Sequence, residues 1–160
     1  MFSRLWNSYL APLLGRPARV QIAALCHRSA DDGPEVLLIT STHGAHRWIL
    51  PKGWPMSGTD GAGTALQEAW EEAGVKHRGQ RPIRIGQYRY KKIVNDQLPV
   101  TTDVDVYAVE VEKLLDSYPD MQSRERKWMA PADAAEAVDE EQLKTILADF
   151  PALLANARQP

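Results

Sequence analysis

Residues 52–63, KGWPMSGTDGAG, hold four glycines and one proline, a density that neither a helix nor a strand interior tolerates, so the segment must be a loop. Helical spacing follows at once over Thr64–Ala73, and Gly74 closes it where a left-handed cap residue is favoured. Short β-rich runs precede the loop: Arg19–His27, then Glu35–Thr42 after the turn-prone stretch Ser29–Pro34, then Arg47–Leu50 ending at Pro51. Two more follow the helix, Arg84–Val94 and Val100–Val111, parted by Asn95-Asp96. Glu141–Leu154 reads as a terminal helix interrupted at or near Pro151. Many strands with few helices predict an α+β or layered α/β domain, and no internal repeat or low-complexity tract complicates that reading.

The chain is one domain in size, since 160 residues of which 44% are hydrophobic and 25% charged suffice for a single core. A formal net charge of -2 leaves no basic excess for bulk attraction to nucleic acid, so no nucleic-acid partner is expected. The single cysteine, Cys26, lies in an apolar run and reads as a buried thiol; no disulfide framework can be built from it. Phe2, Leu5, Trp6, Tyr9, Leu10 and Leu13 have the spacing of an amphipathic helix limited by Pro12 and the Gly15–Pro17 punctuation. Residues 1–18 are therefore expected as an appended helix and 19–155 as the domain. The helix docks on its own domain or on a second subunit, giving a monomer or homodimer, with membrane-surface contact or targeting as the minority reading. No run approaches bilayer-spanning length, and a cytoplasmic, membrane-free protein is the expectation.

The helix after the loop carries Glu68, Glu71 and Glu72 in its last two turns. At about 100° per residue, with Glu68 at zero, Glu72 falls at roughly 40° and Glu71 at roughly 300°, so all three share an arc of about 100°. Ala62, Ala65, Leu66, Ala69, Trp70 and Ala73 fill the adjoining arc, which packs the helix on a core and fixes the acidic stripe beside it. Carboxylates at a helix C-terminus oppose the macrodipole by roughly 0.3–1 kcal/mol each, and the Glu68–Glu72 spacing adds a few tenths. Stability alone would place lysine there. The stripe is either a solvated acidic face or a site for a hard divalent cation, whose oxygen coordination would turn repulsion into attraction.

The stretch before the loop, Arg47-Trp48-Ile49-Leu50-Pro51-Lys52-Gly53, decides between the two, because from here the chain resembles the Nudix hydrolases. Their box reads glycine, five residues, glutamate, seven residues, then Arg-Glu-hydrophobic-any-Glu-Glu-any-Gly-hydrophobic. Counted from Gly53, Glu68–Val75 fits it at eight consecutive positions, while Thr59 stands for the first glutamate and Gln67 for the arginine that helps hold the acidic side chains. Gln67 still donates hydrogen bonds, and Asp60 can replace the missing acid if the loop shifts by one residue. Ala23–Ser29, Val36–Thr42, Arg47–Pro51 and Arg124–Met129 before Ala132–Ala135 extend the likeness toward the diphosphoinositol polyphosphate phosphohydrolase branch, over residues 19–150. The resemblance implies an α/β/α sandwich with a mixed β-sheet.

It also implies Mg²⁺-dependent cleavage, with Mn²⁺ as the alternative ion, of a pyrophosphate linkage in a phosphorylated small molecule: a diphosphoinositol polyphosphate, a dinucleoside polyphosphate or a similar metabolite. Glu68 and Glu72 are the expected main metal ligands, Glu71 a ligand or the general base, and the Lys52 backbone carbonyl completes the site; Glu125 is the loop alternative for the base. Arg47 and Lys52 beside the loop, and Arg89 and Lys91 on one face of a strand, are candidate phosphate contacts, although such a strand face equally suits a solvated edge. Ser41 and His43 match the branch's phosphate-contacting loop in position, with His43 where an arginine is expected. Trp48 reads as core and Trp54 as the aromatic contact for substrate. Two competitors stand beside this reading. One is hydrolysis of an ordinary nucleotide, a nucleotide sugar or an RNA 5′ end, the last disfavoured by the near-neutral charge. The other is a Nudix-like binding or regulatory module that lost turnover along with the two box residues, against which the three retained glutamates argue.

Overall fold

The computed structural model describes residues 20–94 and 98–159; the amphipathic segment expected over 1–18 lies outside the described residues. Eight strands run β1 (Val20–Ala30), β2 (Gly33–Thr40), β3 (Trp48–Ile49), β4 (Lys52–Gly53), β5 (Val75–His77), β6 (Ile83–Val94), β7 (Leu98–Leu114) and β8 (Arg126–Met129). Among the described residues four helices accompany them: α1 (Gly61–Ala73), α2 (Pro131–Ala137), α3 (Glu141–Ala148) and α4 (Phe150–Ala157). The strands form one sheet in the order β3-β2-β1-β7-β5, with β4 also paired to β1, β6 to β7 and β8 to β2. Among the described residues only β1 and β7 pair in parallel, from Val20 against Asp103 to His27 against Glu110, so the sheet is mixed.

Alternation along the strands divides the core in two. Ile22, Ala24 and Cys26 of β1 and Leu37 and Ile39 of β2 pack with Ala65, Ala69 and Ala73 of α1. Ala23 and Leu25, with Val36 and Leu38, turn to the other face, where Leu143, Ile146 and Leu147 of α3 and Phe150 of α4 cover them. Helices on both faces explain why these strands read as unbroken apolar runs. The result is the α/β/α sandwich that the resemblance implied. Among the described residues no helix is long and apolar enough to cross a membrane.

Three boundaries differ from the sequence reading for local reasons. Helix α1 begins at Gly61 rather than Thr64, because Asp60 caps it by accepting the Gly63 N–H at 2.9 Å, and the glycines conceal that first turn from any periodicity argument. Lys52–Gly53, inside the expected loop, pairs with Ala23 and Ile22 of β1. The terminal helix divides at Asp149 into α3 and α4, with Pro151 in the first turn of α4, where its missing N–H costs nothing.

On the α4 side, His27 is buried with its ring centroid 5.2 Å from that of Phe150. Burial first, then Arg158, pushes its imidazole down to about 4 against the partial opposition of Glu110. An unfolded histidine titrates near 6.5, so the unfolded chain binds the proton more readily between those values. The stabilisation is complete above about pH 6.5 and is lost as pH falls toward 4, by on the order of 2 kcal/mol. Urea unfolding of wild type and His27→Gln at neutral pH and at about pH 4.5 should show a smaller loss for the variant.

Candidate active site

Helix α1 reaches the site because its alanine face packs on the sheet and Gly74 stops it. Gly74 is left-handed, φ 66°, with its N–H donating to the Trp70 carbonyl at 3.0 Å, so the chain turns away one residue after Ala73. The acidic stripe beside that face is buried rather than solvated: Glu68, Glu71 and Glu72 are 7%, 9% and 6% exposed. Glu68 lies against Gly53, and an ideal Cβ there would fall within 3.0 Å of its carboxyl carbon and both carboxylate oxygens. Only glycine leaves that space open for the carboxylate.

Both oxygens of Glu72 are engaged. Oε1 accepts the Lys52 N–H at 2.9 Å and Oε2 accepts Nη2 of Arg124 at 2.7 Å. Burial pushes the Glu72 carboxyl above the ordinary carboxylate range; Arg124 and the Lys52 N–H oppose that rise, and Asp120 adds to it. The Arg124 side chain is itself buried, its Nε donating to Asp120 Oδ2 at 2.9 Å and its Nη1 to the Thr40 carbonyl at 3.0 Å. Arg126 donates to the Ala73 carbonyl at 2.8 Å and lies over the Tyr118 ring, supplying the cation that the last turn of α1 lacks.

As hard oxygen donors in a buried stripe, the three glutamates fit a divalent cation chemically. In the present arrangement no three His, Cys, Asp or Glu side chains among the described residues converge into a metal-holding group. Glu72 instead faces Arg124 and the Lys52 N–H.

The remaining candidates are spread around this stripe. Lys52 places its Nζ 5.1 Å from the Tyr90 ring centroid, and the Tyr90 hydroxyl bonds Gln21. Arg47 is exposed, 3.4 Å from Glu140. Ser41 donates to the Ala45 carbonyl at 3.0 Å and accepts the Arg47 N–H at 3.1 Å, which folds the 41–47 loop; His43 stands exposed within it. Arg89 is ion-paired with Asp103 on the facing strand at 2.8 Å, and Lys91 is exposed. By strand alternation both leave β6 on the face opposite Tyr88 and Tyr90. Trp54 is 7% exposed and counts with the core, while Trp48 is half-buried against it. Asp60 is held at the N-cap and by Arg81, both of which lower its pKa. Glu125 is exposed, its backbone bonded in both directions to Thr40.

Arg124, Asp120 and Arg126 escaped the sequence reading. In Arg124-Glu125-Arg126-Lys127 the signal was the extended alternation, which sends Arg124 and Arg126 inward together and leaves Glu125 and Lys127 exposed.

The NUDIX domain model matches residues 19–150. Diphosphoinositol polyphosphate phosphohydrolase 3-alpha from Homo sapiens is 34% identical over 114 residues, 70% of this chain and 64% of that protein. Diphosphoinositol polyphosphate phosphohydrolase 2 from Mus musculus is 32% identical over 114 residues, 58% of its length. The chain thus spans less than two thirds of these curated relatives. An Ap4A hydrolase binary complex from C. elegans superposes with a TM-score of 0.65 at 20% identity, covering 87% of this chain and 99% of that one, a likeness of fold.

Proposed function

The chain belongs to the NUDIX family, and from that premise we propose that it is a metal-dependent pyrophosphohydrolase acting on a multiply phosphorylated metabolite of the diphosphoinositol polyphosphate or dinucleoside polyphosphate kind. The observation that carries this reading is the burial of Glu68, Glu71 and Glu72 on one helix face, in the box register set by Gly53. Burying three like charges on one stripe is costly unless a cation is meant to share it. The named activity of the human and mouse relatives supports the choice of substrate class.

Glu68, Glu71 and Glu72, with the Lys52 carbonyl, are the oxygen donors for Mg²⁺ or Mn²⁺. When bound, such an ion supplies neutralisation of phosphate charge and a more acidic water. Glu71 or Glu125 takes the proton of the attacking water. Lys52 and Arg47 meet the phosphate charge, as do Ser41, His43, Arg89 and Lys91 where the substrate reaches them; Trp54, buried in the core, is not among the contacts.

Phosphate release from a panel of diphosphoinositol polyphosphates, dinucleoside polyphosphates, nucleotides and nucleotide sugars, with Mg²⁺ and with chelator, tests the reading. Metal-dependent release from one of the first two classes is the expected outcome; no release from any member would favour a binding module. On the best substrate, Gly53→Ala should push Glu68 aside and lower turnover on the order of 10²-fold. Unchanged turnover would remove Glu68 from the site.

A further inference from the structure

The last turn of α1 contains no basic residue, yet its three glutamates are buried. The compensating charge comes from outside the helix, on a segment 52 residues further along. The Arg124 side chain is 7% exposed and its guanidinium reaches three separate elements: Glu72 Oε2 on α1, Asp120 Oδ2 in the segment after β7, and the Thr40 carbonyl at the end of β2. A planar fork with this many aligned donors holds its acceptors in fixed geometry, which a lysine's single ammonium does not reproduce.

Gln67 cannot serve in its place. At 100° per residue it lies roughly 140° around the helix from Glu72, on a groove lined by Leu66, Trp70, Val75 and Leu115. Asp120, 3% exposed, accepts from the Nε of the same guanidinium at 2.9 Å. One arginine is thus shared by two buried carboxylates, Glu72 and Asp120.

We propose that Arg124 is a positioning residue for Glu72: braced by Asp120 and the Thr40 carbonyl, it fixes one carboxylate oxygen while the Lys52 N–H fixes the other, so that Glu72 is oriented before a cation arrives. This rests on the reading of Glu68, Glu71 and Glu72 as cation donors. Residues that orient metal ligands typically change metal affinity or activity by about 10–100-fold.

The test is calorimetric titration of Mn²⁺ into the full chain as wild type, Arg124→Met, Arg124→Lys and Glu72→Gln, with kcat and KM on the best panel substrate at saturating metal. Arg124→Met should weaken Mn²⁺ binding at least about tenfold and lower kcat while leaving KM within about threefold. Should Arg124→Met fail to fold, Arg124→Lys carries the test; it keeps the charge, loses the fork, and should weaken Mn²⁺ binding by about threefold to tenfold. Normal Mn²⁺ affinity in the folded arginine variants with a raised KM would make Arg124 a substrate contact and overturn the proposal, provided Glu72→Gln still weakens binding. A wild type that binds no Mn²⁺, or a Glu72→Gln that binds it equally well, would overturn the cation reading and this proposal together.

Discussion

Glu72→Gln is expected to lower metal-dependent phosphate release by about 10³-fold while leaving the chain folded. The substitution keeps the length of the side chain and removes its charge. Glu72 accepts from the Lys52 N–H on one oxygen and from Arg124 on the other, so a glutamine must turn its NH₂ toward one of these two donors. It cannot satisfy both. Removing the anion also leaves Arg124 with Asp120 as its ion-pair partner in a buried setting, which draws the guanidinium away from the stripe. Fold and activity separate because the apolar face of α1, Ala65, Ala69 and Ala73, does not pass through Glu72. Circular dichroism should match wild type while progress curves on the best substrate flatten. Activity above about a tenth of wild type would show that Glu72 is not a metal donor.

Phe150→Ala should have the opposite profile, lowering stability by about 3–5 kcal/mol with little effect on catalysis in whatever fraction remains folded. Phe150 is fully buried at the start of α4 and packs with Leu143 and Leu147 of α3 against the sheet face remote from α1. Its ring also shields His27. Opening that cavity admits water to the imidazole, so the variant should lose less stability on acidification than wild type does, in addition to being weaker at every pH. Urea denaturation at two pH values reads both effects. A loss below about 1 kcal/mol would mean that the α3–α4 layer contributes little to the core.

The fold class was legible because it is written in local patterns. Ala23–Cys26 and Val36–Ile39 are apolar at every position, which a sheet covered on one face would not need, and Gly74 marks the end of α1 by a backbone requirement confined to one residue. Strand β5, three residues long, carried too little pattern to read, and the first turn of α1 was hidden by Gly61 and Gly63. Within the site, the stripe of Glu68, Glu71 and Glu72 follows from helix arithmetic alone. Its partners do not. The pairing of Glu72 with Arg124 is set by how α1 and the segment before β8 are brought together, and a run such as Arg124–Lys127 reads in isolation as solvated charge. The burial of Trp54, by contrast with the half-burial of Trp48, depends on the packing around β4, which was hidden inside an expected loop.

The central parallel pair sets the order in which these parts become available. Val20 lies beside Asp103 and His27 beside Glu110, so the middle of the sheet cannot close until a strand from late in the chain has been made and has found one from the beginning. The site needs still more of the chain, since Thr40, Lys52, Glu72, Asp120 and Arg124 must all be in place before Glu72 is held. Contacts of such long sequence separation are slow to form, on the order of milliseconds to seconds for domains rich in them. A nascent chain released before Arg124 would carry the acidic helix without its counter-charge, and refolding followed by Mn²⁺ binding should lag behind the recovery of helical signal.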